Sequence, residues 1–163
     1  ELDQVMNYVY LQKIRYGNRF DVEIIADSEV RHYLICKLTL QPLVENCIYH
    51  AFKDIDYTGH IIIKAVREDD KIIITVSDNG IGNYTLDFNK MNEYVNKKFD
   101  LNEPIEKYGI HNISQRIKIY FGEEYGLFYY PNADEGITVR ITIKAIKNVN
   151  EIKQKRLNGG KIT

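Results

Sequence analysis

The segment Asp78-Asn79-Gly80-Ile81-Gly82 follows directly on Ile72-Ile73-Ile74-Thr75-Val76-Ser77. A β-branched apolar run of this kind predicts a buried strand. It ends in a carboxylate, whose burial is costly unless a hydrogen-bond donor meets it. Glycines at alternate positions let the backbone turn sharply and come close to a ligand. The chemistry available here is acceptance of a ligand N–H by Asp78 at the edge of an apolar pocket. Asn-Gly is also the usual two-residue hairpin turn, and from these residues alone both readings stand open. A hairpin needs a second strand at once, and residues 83–90 are polar and irregular.

A second group of polar residues precedes this strand. Glu45, Asn46, Tyr49, His50 and Lys53 lie in a segment whose apolar positions are Leu40, Leu43, Val44, Cys47, Ile48 and Ala51. That spacing predicts an amphipathic helix. Thr39 is placed to cap it, and Pro42 falls in the first turn, where its missing N–H is not needed. Asn46, His50 and Lys53 are spaced by four and then three, which puts them on one helix face. An amide oxygen is a hard ligand suited to Mg²⁺. A lone helical Asn is more often simply solvated, and a lone His structural. With no second His and no Cys beyond Cys47 close by, a transition-metal site is not expected.

A third group follows a long charged segment. Gly109 opens a helix whose stripe is Ile110, Ile113, Ile117 and Tyr120, with Gly122 as its stop. The start of that helix offers free N–H groups and the positive end of a dipole to an anion.

These groups need elements to hold them. Residues 1 to about 15 read as an amphipathic helix, broken at Tyr16-Gly17-Asn18, and Arg19–Ile25 alternates like a half-buried strand. Residues 60–67 and 71–77 are two strands joined by Glu68-Asp69-Asp70. Residues 83–107 show no clear period and read either as a lid over a ligand or as a solvated insertion. Leu127–Tyr130 is a short strand, Pro131–Gly136 a turn, and Ile137–Lys144 a clear alternating strand. Residues 147–163 read as a loose charged tail, with any helix at their start left open. Strand pairs dominate, without regular βαβ alternation. The expected fold class is therefore α+β, a two-layer sandwich with a mixed, mostly antiparallel sheet and helices on one face.

The chain has 163 residues, enough for one domain with a real core, and 44% are apolar. A net charge of −1 gives no sign of nucleic-acid or membrane-surface binding. No apolar run approaches the roughly 20 residues of a spanning helix. Cys36 and Cys47 have no CxxC spacing and read as reduced core thiols, which fits the cytosol. The chain opens inside a helical pattern without an initiator Met, as expected of a piece of a longer protein. GxxxxGK[ST] and GxGxxG are both absent, so a nucleotide site here would use other parts.

Taken in order, Glu45-Asn46-x-x-x-His50, Asp78-x-Gly80-x-Gly82, Gly109-Ile110-x-Asn112 and Gly136-Ile137-Thr138 resemble the N, G1, G2 and terminal Gly-Thr boxes of the GHKL (Bergerat) ATP-binding fold. Leu40-Gln41-Pro42-Leu43-Val44-Glu45-Asn46 is very like the N box of LytS/YesM-type sensor histidine kinases. Asn112-Ile113-Ser114-Gln115-Arg116-Ile117-x-x-Tyr120-Phe121-Gly122 is similar to their G2 helix. Tyr8-x-x-Leu11-Gln12-x-x-Arg15-Tyr16-Gly17-x-Arg19 resembles the segment leading into their catalytic domain. The resemblance covers about residues 1–146. It divides the chain into a helix leading in from a dimerisation segment (1–18), an ATP-binding catalytic domain (19–146, lid 83–107) and the tail.

The resemblance implies transfer of the ATP γ-phosphoryl group to a histidine upstream of this chain, with Mg²⁺ as cofactor. Asp78 would bind the adenine amino group, with Gly80 and Gly82 letting the backbone approach the base. Asn46 would hold Mg²⁺. Glu45 would polarise the attacking group or serve structurally. His50 and Lys53 would meet phosphates, with the Gly109-Ile110-x-Asn112 turn behind them. Thr138 would be a polar contact near the adenine. The expected partners are the upstream phosphoacceptor helices of a homodimer and a response regulator, in a cytoplasmic domain of a bacterial membrane protein. Nucleic acid and direct membrane contact by this part are not expected. Two departures bear on the phosphate end: Lys107 stands where the G2 box usually has its first Gly, and Ile110 where it has Leu. The terminal box reads Gly136-Ile137-Thr138, so only its second Thr is kept. Another GHKL ATPase, an anti-sigma-factor kinase or a non-catalytic nucleotide sensor is the alternative.

Overall fold

The computed structural model describes residues 1–82, 86–97 and 108–151. Five strands form one sheet in the order β1-β2-β3-β5-β4: β1 is Phe20–Ala26, β2 Gly59–Glu68, β3 Lys71–Asp78, β4 Gly126–Pro131 and β5 Ile137–Lys144. β1 runs parallel to β2 and every other pairing is antiparallel. The α+β class and the mixed sheet are as expected from the sequence.

Strand alternation decides where the core lies. Ile61, Ile63, Ile72, Ile74, Val76, Val139, Ile141 and Ile143 point to one face and are buried. Their neighbours Ile62, Lys64, Thr75 and Arg140 point to the other, where Ile62 is 41% exposed. The period of two along each strand fixes which side the helices must cover.

Helix α1 spans Leu2–Tyr16 and buries Val5 and Val9. Helix α2 is short, Gln41–Asn46, and runs on into a π-helical turn at Cys47–Ala51. Pro42 sits in its first turn as expected. Thr39 does not cap it: its hydroxyl donates to the Cys36 carbonyl at 2.8 Å. The free N–H groups of Leu38, Thr39 and Leu40 donate instead to the Glu1 carboxylate at 2.7–3.1 Å, which ties the start of α1 to the start of α2.

Residues 83–107 are not wholly irregular. Helix α3 spans Phe88–Asn96, capped by Asp87, whose carboxylate accepts from the N–H groups of Asn89 and Lys90 at 3.1 Å. The signal was present in the sequence: an Asx cap followed by Phe88, Met91 and Val95 at helical spacing. Asn92 and Asn96 on α3 bond the carbonyls of Tyr129 and Leu127, so this helix seals the β4 edge of the sheet.

Helix α4, Tyr108–Phe121, buries Ile113, Ile117 and Phe121. Phe121 completes the stripe, while Tyr120, assigned to it from the sequence, is 40% exposed. Gly122, at φ 132, ends the helix as expected. Arg116 donates to the carbonyls of Lys37 and Leu38 at 2.6 and 2.7 Å and so holds α4 against the loop before α2. Residues 149–151 are helical, at the start of the expected tail.

Candidate functional site

A cavity of about 600 Å³ lies between the covered face of the sheet and the α2 segment. Leu43, Asn46, Cys47, His50 and Ala51 line it from the helical side. Asp78, Ile81 and Gly82 line it from the end of β3, and Tyr129, Ile137 and Val139 from β4 and β5. Leu86 before α3, Met91 on α3 and Ile110 on α4 close it. Most of this lining is apolar, with a few polar groups converging, as in small-molecule sites generally.

Asp78 is the buried acid of the site, at 8% exposure. Its Oδ1 accepts from the Gly80 N–H at 2.9 Å and the Ile137 N–H at 3.4 Å, and its Oδ2 from the Cys47 thiol at 3.6 Å. Burial pushes its pKa up, against the pull of these donors. The Cys47 thiol is itself held well above its ordinary pKa, by burial first and then by the Asp78 charge.

The two glycines after Asp78 do different things. Gly82 lines the cavity with φ at +57°, a left-handed backbone that suits glycine. Gly80 instead packs against the helical segment. A Cβ there would lie 2.5 Å from the Ala51 Cβ and 2.6 Å from the Ala51 carbonyl oxygen. A third glycine completes the turn: Gly136, at φ +90°, passes so close to Asp78 that a Cβ would fall on its carbonyl oxygen.

Asn46 and His50 both line the cavity. The π-turn ends the helix at Ala51, so Lys53 lies beyond it, exposed and outside the lining, and does not share their face. Glu45 accepts from the Gln41 side chain at 2.9 Å and does not line the cavity. Ile110 lines it, whereas Gly109 and Asn112 are exposed on the first turns of α4. Lys107 lies outside the described residues.

Thr138 is in a different place from the one the sequence suggested. Ile137 and Val139 line the cavity and Thr138 does not. One step along a strand reverses the face. The Thr138 hydroxyl is buried on the opposite side of the sheet, 2.7 Å from the Ser77 hydroxyl and bonded to Asn132. Asn132 in turn donates to the Asp78 carbonyl at 2.7 Å. Thr138 therefore braces the backbone under Asp78. Cys47 and Tyr129 are lining residues that sequence reasoning missed: the sequence marks Cys47 as a core thiol and Tyr129 only as part of a short strand.

The donor set can be tested against a divalent ion. Among the described residues no group of three or more His, Cys, Asp or Glu side chains could hold a metal. Asn46 offers one hard oxygen at the cavity wall. That fits an ion carried mainly by ligand phosphates and water, and not a protein-caged one.

Comparison with known proteins defines the class. The fold matches the catalytic domain of histidine kinase ThkA at a TM-score of 0.58 and 14% identity, over 90% of this chain and 95% of that one. It matches the mycobacterial sensor histidine kinase MprB at 0.52 and 16%, over 89% and 95%. The fold is that of a histidine kinase catalytic domain. In sequence the chain is 35% identical over 143 residues to the sensor histidine kinase YesM of Bacillus subtilis, covering 88% of this chain and 23% of that protein. It is 34% identical over 143 residues to the sensor protein LytS of Staphylococcus saprophyticus, with the same coverage. No family model matches the chain. The chain is thus similar in sequence to sensor histidine kinases of the LytS/YesM type and has the fold of a histidine kinase catalytic domain, and it spans about a quarter of the length of the curated relatives it matches.

Proposed function

We propose that this domain binds ATP with Mg²⁺ in the cavity over Asp78 and delivers the γ-phosphoryl group to a histidine outside the chain. The observation that carries the reading is the buried Asp78 carboxylate at the floor of a mostly apolar cavity. An adenine ring would bury its faces against Ile81, Met91, Ile110 and Val139 and donate its exocyclic amine to Asp78. The remaining donors to Asp78 hold it in place without filling the cavity.

The triphosphate would leave the base pocket past Asn46 and His50 toward the start of α4, where the first-turn N–H groups favour anions. Asn46 would give one oxygen to Mg²⁺, with phosphate oxygens and water completing the ion's shell. Mg²⁺, when bound, supplies charge neutralisation on the transferring phosphoryl group. Asn112 would lie at this end, and the charge of Lys107 would pair with phosphate. Lys53 would meet phosphate only if the turn after the π-segment rearranges. Glu45, held by Gln41, would orient the N-terminal part of α2 near the acceptor.

His32, His50, His60 and His111 do not stand in an acceptor motif. The acceptor is therefore assigned to helices preceding α1 in a homodimer, and the phosphoryl group then passes to a response regulator. Among the described residues no helix is long and apolar enough to cross a membrane. We assign the domain to the cytoplasmic side of a membrane-anchored kinase. The test is to incubate the chain with labelled ATP and Mg²⁺, with and without the purified upstream acceptor segment. Label on that segment alone supports the reading. Label on the isolated domain contradicts it, and nucleotide binding without transfer leaves a nucleotide sensor.

A further inference from the structure

The cavity lies on one face of the sheet, and the other face is open. Ile25 on β1, Ile62 on β2 and Phe128 on β4 point there and are 44%, 41% and 46% exposed. A one-sided antiparallel sheet ordinarily turns polar side chains to water. Large apolar side chains gathered on such a face mark a surface that another molecule covers.

The strand register sorts the charges on this face to its two ends. Lys71 stands directly opposite Lys144, and two rows further on Lys64, Thr75 and Arg140 stand side by side. Like charges directly opposite each other destabilise a sheet. None of the four cations makes an ion pair among the described residues. Arg140 lies instead over the rings of Phe128 and Tyr130, at 5.5 and 5.9 Å. Glu68, opposite Lys71, still leaves that end positive. The other end is acidic. Glu23 adjoins Ile62 there, and Asp134 and Glu135 rim a groove that Ile62 and Ser77 also line. The next carboxylate, Asp21, is held by Lys13 at 2.6 Å.

We propose that this face is a self-complementary interface on which a second copy of the domain packs, sheet on sheet, about a two-fold axis. A surface with one charge at one end and the opposite charge at the other is matched by its own copy turned end for end. With the axis running across the strands, each strand lies over its counterpart in reverse. Lys64 then comes beside the partner's Glu23, and Lys71 and Lys144 come over the partner's Asp134 and Glu135. Ile62 and Phe128 fill the middle. An unrelated acidic partner would answer the basic end alone and leave Glu23, Asp134 and Glu135 unmatched. The cavity opens on the opposite face, so pairing leaves it accessible and is independent of what it binds. Strands about 4.8 Å apart and about eight residues long, five abreast, cover roughly 600 Å². Roughly 1,200 Å² in all is the lower bound of specific interfaces, so the pairing is weak, with a Kd of about 10–500 μM.

The test is sedimentation equilibrium of the chain and of two charge-reversed sets. One set carries Lys64→Glu, Lys71→Glu and Lys144→Glu, the other Glu23→Lys, Asp134→Lys and Glu135→Lys; none of the six side chains is buried. The wild type is expected to dimerise in the stated range, at least about fivefold more weakly in about 0.5 M salt. Each reversed set alone should stay monomeric, because like charges then face each other at both ends. An equimolar mixture should dimerise like the wild type, because every facing pair is again opposite in sign. A wild-type chain that is monomeric at about 1 mM overturns the proposal. So does either set dimerising as tightly as the wild type, or a mixture that stays monomeric while both sets keep the wild-type melting temperature. Should a set fail to fold, the milder Ile62→Ser decides: it must weaken the dimer, and unchanged association overturns the proposal.

Discussion

The Cys47 thiol and Asp78 Oδ2 lie 3.6 Å apart, joining the π-turn after α2 to the end of β3. The contact stabilises the charged form of an acid whose burial opposes that charge. Cys47→Ala should therefore raise the Asp78 pKa further, and Cys47→Ser should restore a donor. Nucleotide affinity measured against pH would show its acid-side midpoint moved upward in Cys47→Ala and less moved in Cys47→Ser.

Asp78 itself sets a pH dependence with a definite sign. Its folded pKa lies above the unfolded value, so the folded state binds the proton more tightly. Ionising it costs stability as pH rises from the unfolded pKa of about 3.9 through the raised folded value, and the cost is complete above that value. Asp78→Asn should make the free chain more resistant to urea at neutral pH, with the difference closing in acid. Nucleotide binding should fail on acidification at a higher pH than an ordinary aspartate would give.

Two glycines of the site should respond differently to alanine. Gly136→Ala meets the Asp78 carbonyl as well as an unfavourable φ, whereas a Cβ at Gly82 has its nearest neighbour at 3.4 Å and meets mainly the φ. Urea denaturation should show a loss of about 1 kcal/mol for Gly82→Ala, the cost of one left-handed alanine. For Gly136→Ala it should show a loss of more than about 2 kcal/mol.

Thr138 separates a structural role from a ligand contact. Its hydroxyl is buried and bonded to Ser77 and Asn132 on the open side of the sheet. Thr138→Val should cost about 1–3 kcal/mol of stability, the size of a broken buried hydrogen bond. The same variant should leave ADP affinity within about twofold if the chain is measured where it remains folded. A larger loss of affinity without a loss of stability would place the hydroxyl on the ligand.

The sheet was readable from the sequence because its strands alternate: Ile137, Val139, Ile141 and Ile143 leave no doubt about their face. The Asp78 turn was readable as a site through its order relative to Asn46 and Gly109, not through its own residues, which also suit a hairpin. What escaped depends on three dimensions. The π-turn at Cys47–Ala51 shifts the helical period after Asn46, and nothing in the side chains announces it, so Lys53 was grouped with His50. Thr138 was assigned by proximity in sequence, although one residue along a strand means the opposite face. Helix α3 carries a local signal in its Asp87 cap and apolar spacing, but its place against the sheet does not show, because Asn92 and Asn96 look like surface residues until the edge of β4 is beside them. Gly80 was assigned to ligand approach, while its close neighbour is Ala51.

The most direct test of a nucleotide pocket built on Asp78 is calorimetry of ATP and ADP with Mg²⁺ on the wild-type chain and Asp78→Asn. The account predicts binding by the wild type and a loss of about 1–3 kcal/mol on substitution, roughly 5- to 150-fold in Kd, in a chain that remains folded. Equal affinity in the two proteins would remove Asp78 from the pocket and contradict the account.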